Sequence, residues 1–348
     1  MKYVFLILIC SLIGRTIAQP TNVLFVGNSF TQMNDLYKSY QNLANSKGKN
    51  VFADTLAVGG SSLKGHVLRE NTFKKFKSRS WDYVILQGFS RELYVDSSII
   101  STETVPFAQR LIDSIKKYNP CVSIYYYMTW GYAKGYSDSI FTDSYEMMQE
   151  RIERGYLQLS NVTGKIPVAP VGMVWKQVKQ KYPELNLYAP DELHPSPYGS
   201  YIAACTFFTS LYKESPIGGE FPPQIGSVIA EKIQKASLDY VMTNYTKYNL
   251  DTIQVALGVN QKLNFTIREE WLSITLKDIA PTADQYFWEF GDGKTSNQKN
   301  PKYYYTKPGK YSVTLHVRKG CNWSTLKKTV YVSNRVKYAN RSNASGKN

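Results

Sequence analysis

From Asn22 onward, short apolar runs alternate with amphipathic stretches, and the hydrophobic period switches between the two several times. Asn22–Val26 is apolar at nearly every position, which predicts a strand buried on both faces. Asp35–Asn45 predicts a helix, Val51–Val58 a second strand, and Leu63 to about Phe76 a basic helical stretch. Asp82–Gln87 predicts a third strand. Val105–Lys117 follows as a helix, with Phe107, Leu111, Ile112 and Ile115 at helical spacing. Val122–Thr129 and Ile166–Pro170 predict a fourth and a fifth strand. Helices over about Tyr198–Tyr212 and Ile225–Tyr240 close the unit. Strands alternating with helices in this way predict an α/β fold, a parallel sheet between two layers of helices.

The character changes near residue 248. From Asp251 to Ser333 the helical period fades, and short β-rich runs are separated by Gly, Pro and Asn. Leu263–Ile267, Trp271–Leu276, Tyr286–Phe290, Lys310–Val317 and Lys327–Val332 predict an all-β sandwich of the Ig-like kind. The expected division is therefore an α/β domain over residues 19–246 and a sandwich over 250–334. Residues 335–348, rich in Asn, Ser, Gly and Lys, predict a disordered tail. A length of 348 residues agrees with about two domains.

The N-terminus changes the picture of where such a chain works. Met1-Lys2 is followed by an apolar run from Tyr3 to Ile13, then by the small-x-small pattern Thr16-Ile17-Ala18. This predicts a signal peptide over residues 1–18 and an exported, periplasmic or extracellular protein. The run falls short of the ~20 apolar residues that a membrane-spanning helix needs, and no later segment is apolar enough to span. Beyond the leader stand Cys121, Cys205 and Cys321, an odd number without a CxxC pair. Cys121 and Cys205 sit in apolar runs and read as small buried hydrophobes. The formal charge is +15, but the basic residues are dispersed and carry no nucleic-acid motif, so a DNA or RNA partner is not expected. The 28 tyrosines suit either sugar-stacking surfaces or large cores.

Chemistry concentrates at the end of the first strand, in Gly27-Asn28-Ser29-Phe30-Thr31. A serine there, ahead of a helix, stands where open α/β sheets bind ligands. Gly27 is expected to let the backbone turn tightly. A serine hydroxyl needs an adjacent base to act as a nucleophile, and the chain has only His66, His194 and His316. His316 falls in the β-rich region, and His66 follows Gly65 in a helical stretch. His194 lies in Asp191-Glu192-Leu193-His194-Pro195, with a carboxylate three residues before it to orient the imidazole. The order Ser29, Asp191, His194 completes a serine-hydrolase triad. Asp and Glu are scattered, so no metal cluster and no cofactor are expected.

Gly27-Asn28-Ser29 together with Asp191-x-x-His194 resembles the SGNH (GDSL-like) hydrolases over roughly residues 20–245. The resemblance implies a three-layer, flavodoxin-like αβα fold. Val58-Gly59-Gly60-Ser61-Ser62 resembles the family's glycine block, which implies that the amides of Gly60 and Ser29 form an oxyanion hole. Leu86-Gln87-Gly88-Phe89-Ser90 stands in the place of the Gly-x-Asn-Asp block, with Ser90 where the oxyanion asparagine would be. Gln87 is the favoured third donor, similar to a subgroup with a Leu-Gln motif at this strand end; Ser90 is the other candidate. In the second domain, Trp288-Glu289-Phe290-Gly291-Asp292-Gly293, Asn300-Pro301 and Pro308-Gly309-Lys310-Tyr311 resemble the polycystic-kidney-disease (PKD) repeat. Trp288 would be its core aromatic. The resemblances imply a secreted serine esterase, with O-acetyl groups on a glycan as the leading substrate. A lipid-ester or thioester hydrolase, or a non-catalytic glycan-binding protein on the same fold, are the competing readings.

Overall fold

The computed structural model of the chain describes residues 21–251, 264–278, 283, 285–319 and 321–333. The expected leader over 1–18 and the expected tail over 335–348 lie outside the described residues. The chain divides into two compact units, one of them Gln19–Gln254 and the other containing the β-rich region.

The first unit is built on a five-stranded parallel sheet of β1 (Thr21–Gly27), β2 (Val51–Ala57), β3 (Tyr83–Leu86), β4 (Ser123–Tyr127) and, after a small hairpin of β5 (Tyr136–Ser137) and β6 (Thr142–Asp143), β7 (Val168–Ala169). The strand order is β2-β1-β3-β4-β7. This is the doubly wound order in which the sheet's direction of growth reverses beside β1, so a crevice opens at the carboxyl end of that strand. Val23, Leu24, Phe25 and Val26 of β1 are all fully buried, as a central strand covered on both faces requires. Around the sheet lie α1 (Ser29–Gln32), α2 (Leu36–Ser46), α3 (Leu63–Val67), α4 (Glu70–Lys77), α5 (Ser97–Glu103), α6 (Val105–Tyr118), α7 (Tyr145–Val162), α8 (Val171–Lys181), α9 (Pro197–Tyr212) and α10 (Ser227–Thr243). The stretch expected as one helix from Leu63 to Phe76 is instead two, α3 and α4, broken where Arg69 adopts extended backbone.

α9 holds the unit together. Ser196 caps its start by accepting from the Gly199 amide at 3.3 Å, and Pro197 occupies the first turn, where a missing N–H costs nothing. Ser200 to Leu211 are all buried, so this helix is apolar around most of its circumference and runs through the core. Cys205 on it is a free, buried thiol, and burial pushes it well above the ordinary thiol range. Cys121 departs from expectation: it is partly exposed and disulfide-bonded.

The second unit packs a four-stranded sheet and a three-stranded sheet. The first has the order β11 (Thr295–Ser296), β10 (Gln285–Glu289), β13 (Gly309–Lys319), β14 (Asn322–Val332); the second has β12 (Lys302–Tyr304), β9 (Ser273–Asp278), β8 (Phe265–Glu270). All pairings are antiparallel. Trp288 is fully buried, donates its indole N–H to the Gln298 carbonyl at 2.9 Å and meets Phe265 edge-on at 5.0 Å. Phe265, Ile274, Leu276, Val313, Leu315 and Val330 belong to the same separate core.

Candidate active site

Ser29 opens α1 immediately beyond β1, and its backbone is set by the residue before it. Asn28 is the N-cap, in extended conformation, with Oδ1 accepting from the Phe30 amide at 3.1 Å. The Asn28 Nδ2 donates to the Ser61 and Gly88 carbonyls, which fastens this cap to the loops after β2 and β3. Gly27 serves close approach rather than a tight turn. A Cβ there would lie 2.3 Å from Thr31 Oγ1 and 2.4 Å from Gln87 Oε1, so any side chain would collide with both.

His194 arrives on the loop before α9. Its Nε2 is 2.8 Å from Ser29 Oγ, across 165 residues of sequence, and its Nδ1 is 2.5 Å from Asp191 Oδ2. The second oxygen of Asp191 accepts from the backbone amides of Leu193 at 3.2 Å and His194 at 3.0 Å, so the same carboxylate shapes the loop and orients the ring. Burial raises the Asp191 carboxyl, but its hydrogen bonds to the His194 ring and to these two amides outweigh this and hold it below the ordinary carboxylate value. Glu192, between the two, takes a left-handed φ of 64°. Its carbonyl accepts from the Ala133 amide at 2.9 Å and the Leu193 carbonyl accepts from the Trp130 indole at 3.0 Å, which together hold the turn against the loop after β4.

Rings support the imidazole from below. Phe30 meets His194 edge-on at 5.3 Å and stacks on Trp130 at 4.7 Å, and Trp130 stacks on Trp175 at 4.1 Å. Asn34, which the sequence did not single out, ties the nucleophile's loop to the histidine's loop. With φ at 56°, it donates Nδ2 to the Pro195 carbonyl at 2.9 Å and to Ser200 Oγ at 2.8 Å.

The amides of Ser29 and Gly60 enter no hydrogen bond among the described residues. Ser29 is the first residue of its helix, where an N–H has no intrahelical acceptor. Gly60 is exposed, holds φ at 65°, and has nothing within 4 Å of where a Cβ would stand. Its requirement for glycine is therefore conformational.

Gln87 is placed differently from the expected oxyanion donor. It is fully buried. Its Oε1 accepts from the Asn28 amide at 3.0 Å and from Thr31 Oγ1 at 2.7 Å, and its Nε2 donates to Asn28 Oδ1 at 2.9 Å and to the Gly88 carbonyl at 2.6 Å. The Asn28 N–H can only donate, so it fixes which end of the carboxamide faces it. Both amide hydrogens are consumed inside the protein, and none is left for a substrate oxygen. Ser90 shares a 2.7 Å hydrogen bond with the Tyr132 hydroxyl. Glu92 bridges the two loops, with its carboxylate accepting from the Phe89 amide at 2.8 Å and from the Leu63 amide at 3.1 Å. Burial raises its carboxyl above the ordinary value.

The other two histidines stand apart. His66 is buried with Nε2 2.9 Å from the Gly27 carbonyl, and His316 lies on β13 of the second unit. Among the described residues, no group of three or more His, Cys, Asp or Glu converges in a way that could hold a metal ion. No helix among them is long and apolar enough to cross a membrane.

Comparison with known proteins agrees with this architecture. Residues 270–333 match the family model of the PKD domain. The sandwich is a PKD domain. A stretch of 57 residues, 15% of this chain, is 40% identical to the pre-pro-metalloprotease PrtV of Vibrio cholerae and covers only 6% of that protease. The α/β unit has counterparts among solved structures as well. A DUF4886 family protein from Bacteroides uniformis superimposes with a TM-score of 0.55 at 19% identity, over 64% of this chain and 95% of that one. An acetyl xylan esterase matches over 55% of this chain and 99% of its own, at 16% identity and a TM-score of 0.43.

Proposed function

We propose that the α/β unit is a serine ester hydrolase, that it is exported, and that its substrates are O-acetyl groups on carbohydrates. The observation carrying the reading is the continuous hydrogen-bonded chain from Ser29 Oγ through the His194 ring to the Asp191 carboxylate. In the reaction, His194 Nε2 takes the Ser29 proton as Ser29 Oγ attacks the ester carbonyl. The Asp191 carboxylate holds the ring in the tautomer with its other proton on Nδ1 and stabilises the imidazolium that forms. The free amides of Ser29 and Gly60 receive the developing oxyanion. His194 then protonates the departing alcohol, and water, deprotonated in turn by His194, releases the acid from the acyl-enzyme and restores Ser29.

The carbohydrate part of the reading rests on the accessory PKD domain and on the partly exposed rings of Phe89 and Tyr132, carried by the loops after β3 and β4 at the same end of the sheet as Ser29. The test is acetate release from a panel of acetylated polysaccharides, set beside hydrolysis of long-chain acyl esters and labelling by a fluorophosphonate probe. Labelling of the wild type that is lost in Ser29→Ala, with acetate released, is the expected result. Absence of labelling would leave the Ser29 site a binding site without turnover. Hydrolysis confined to long-chain esters would remove the carbohydrate.

A further inference from the structure

The PKD domain carries an exposed ring at a backbone position that disfavours it, and a second exposed ring beside it. Trp271 is the first residue of the two-residue turn joining β8 to β9, and it stands at a φ of 55°. Such a left-handed position suits Gly or Asn and is strained for a residue with a bulky side chain. Yet the indole is 66% exposed, so packing does not compensate for the strain. Tyr304, on the neighbouring edge strand β12, is 63% exposed. The two rings, with Glu270, Leu272, Ser273 and Lys302, line a groove of about 580 Å³. A strained, exposed indole that meets a second exposed ring at one groove points to a ligand rather than to folding.

Charge on the same face says which ligand. Ile274 and Leu276 of β9 are fully buried toward the core, so alternation sends Ser273, Thr275 and Lys277 to the opposite face. Their cross-strand partners lie beside them in rows: Arg268, Thr275 and Lys302 in one, Glu270, Ser273 and Tyr304 in the next. This face therefore presents Arg268, Lys277 and Lys302 against one carboxylate, Glu270. That carboxylate is shared by Arg268 at 2.9 Å and Lys302 at 3.8 Å, and the Lys302 ammonium lies 5.3 Å from the centre of the Tyr304 ring.

We infer that this face of the PKD domain binds an acidic polysaccharide, with sugar rings stacked on Trp271 and Tyr304 and carboxylate groups met by the flanking cations. A pyranose offers an apolar C–H face to an indole or phenol ring and polar groups at its rim, and uronic acid residues add the negative charge that an excess of cations attracts. The inference does not rest on the esterase reading, because its readout is binding alone.

The experiment is affinity electrophoresis of the full chain through gels containing polygalacturonate or, for comparison, neutral xylan. Wild type should be retarded by polygalacturonate and much less by xylan, and the retardation should weaken as salt is added. Trp271→Gly should weaken binding at least tenfold while its thermal midpoint stays at or above that of wild type, because glycine accepts the left-handed backbone. Lys302→Gln should weaken binding and flatten its salt dependence. Absence of retardation, equal retardation by xylan, or unchanged binding in Trp271→Gly would each overturn the inference. Self-association that Trp271→Gly abolishes would give the face to a second copy of the chain and would overturn it as well.

Discussion

A carboxamide has two hydrogens to donate and two lone pairs to share, and in Gln87 all four are engaged with the turn that carries the nucleophile. The residue therefore positions Asn28 and Thr31. Replacing it by Met preserves volume but leaves the Asn28 amide, Asn28 Oδ1 and Thr31 Oγ1 without these partners in a buried site. At about 1–3 kcal/mol for each buried polar group left unsatisfied, Gln87→Met should lose on the order of 3 kcal/mol of stability along with activity, read by urea unfolding beside ester hydrolysis. A donor acting only on the transition state would lower the rate and leave unfolding unchanged. Asp191 invites a second test. Its side chain is 45% exposed, so it works by geometry more than by buried charge. Asp191→Asn keeps the shape but favours the wrong imidazole tautomer, and kcat should fall by at least about 100-fold with little change in KM. Ser29 and His194 were legible because a serine at a strand end needs a histidine and only three exist. Gln87's bonds and the bridge from Asn34 were not, because they depend on which loops meet in space.

At the scale of elements, α3 does more than pass the chain from β2 to β3. His66 reaches from it to the Gly27 carbonyl, which also accepts from the Val58 amide at 3.0 Å. α3 is thus pinned to the end of β1 and stops at Val67, and α4 begins only after the extended backbone of Arg69. Burial lowers the His66 ring's affinity for a proton; the bond to Gly27 opposes this and the Arg69 charge adds to it. The unfolded chain then binds more protons than the folded one between the depressed folded value and the ordinary 6.5. The neutral ring's contribution to stability is present above about pH 6.5 and is lost as pH falls through the folded value. Urea midpoints of the first unit should decline across that acid range, and His66→Gln should flatten the decline. The strands of the parallel sheet, the longer strands of the sandwich and the helices α2, α6, α9 and α10 were legible from their periods. The short β5, β6, β11 and β12 and the helices α1 and α5 were not, being too brief to show one. α7 was passed over, although Tyr145, Met148, Ile152, Tyr156 and Leu159 repeat at helical spacing behind the Ser144 cap. α8 was passed over too: its buried Val171, Val174, Trp175 and Val178 sit in a short apolar run in which the strand of β7 and the start of the helix merge.

On the scale of the whole molecule, two separate sets of buried side chains make two cooperative units. Calorimetry of the full chain should resolve two transitions. Trp271→Gly, which relieves a left-handed residue worth roughly 1–2 kcal/mol, should raise the transition of the PKD domain and leave the other in place. His66→Gln should lower only the transition of the first unit. The two-part division was plain in the sequence because the hydrophobic period changes near residue 248. The face bearing Trp271 was not, because alternation along β8 and β9 hides which residues meet across strands until the register is known.

The hollow beside Gly27 has an evolutionary consequence. An added methyl group at this position meets both Gln87 and Thr31, so no drift at residue 27 is tolerated while those two stay as they are. Residues 27, 31 and 87 form a block that changes together or not at all. Among descendants of this chain, an alanine at 27 should occur only beside a shortened residue 87 and a different way of seating the serine.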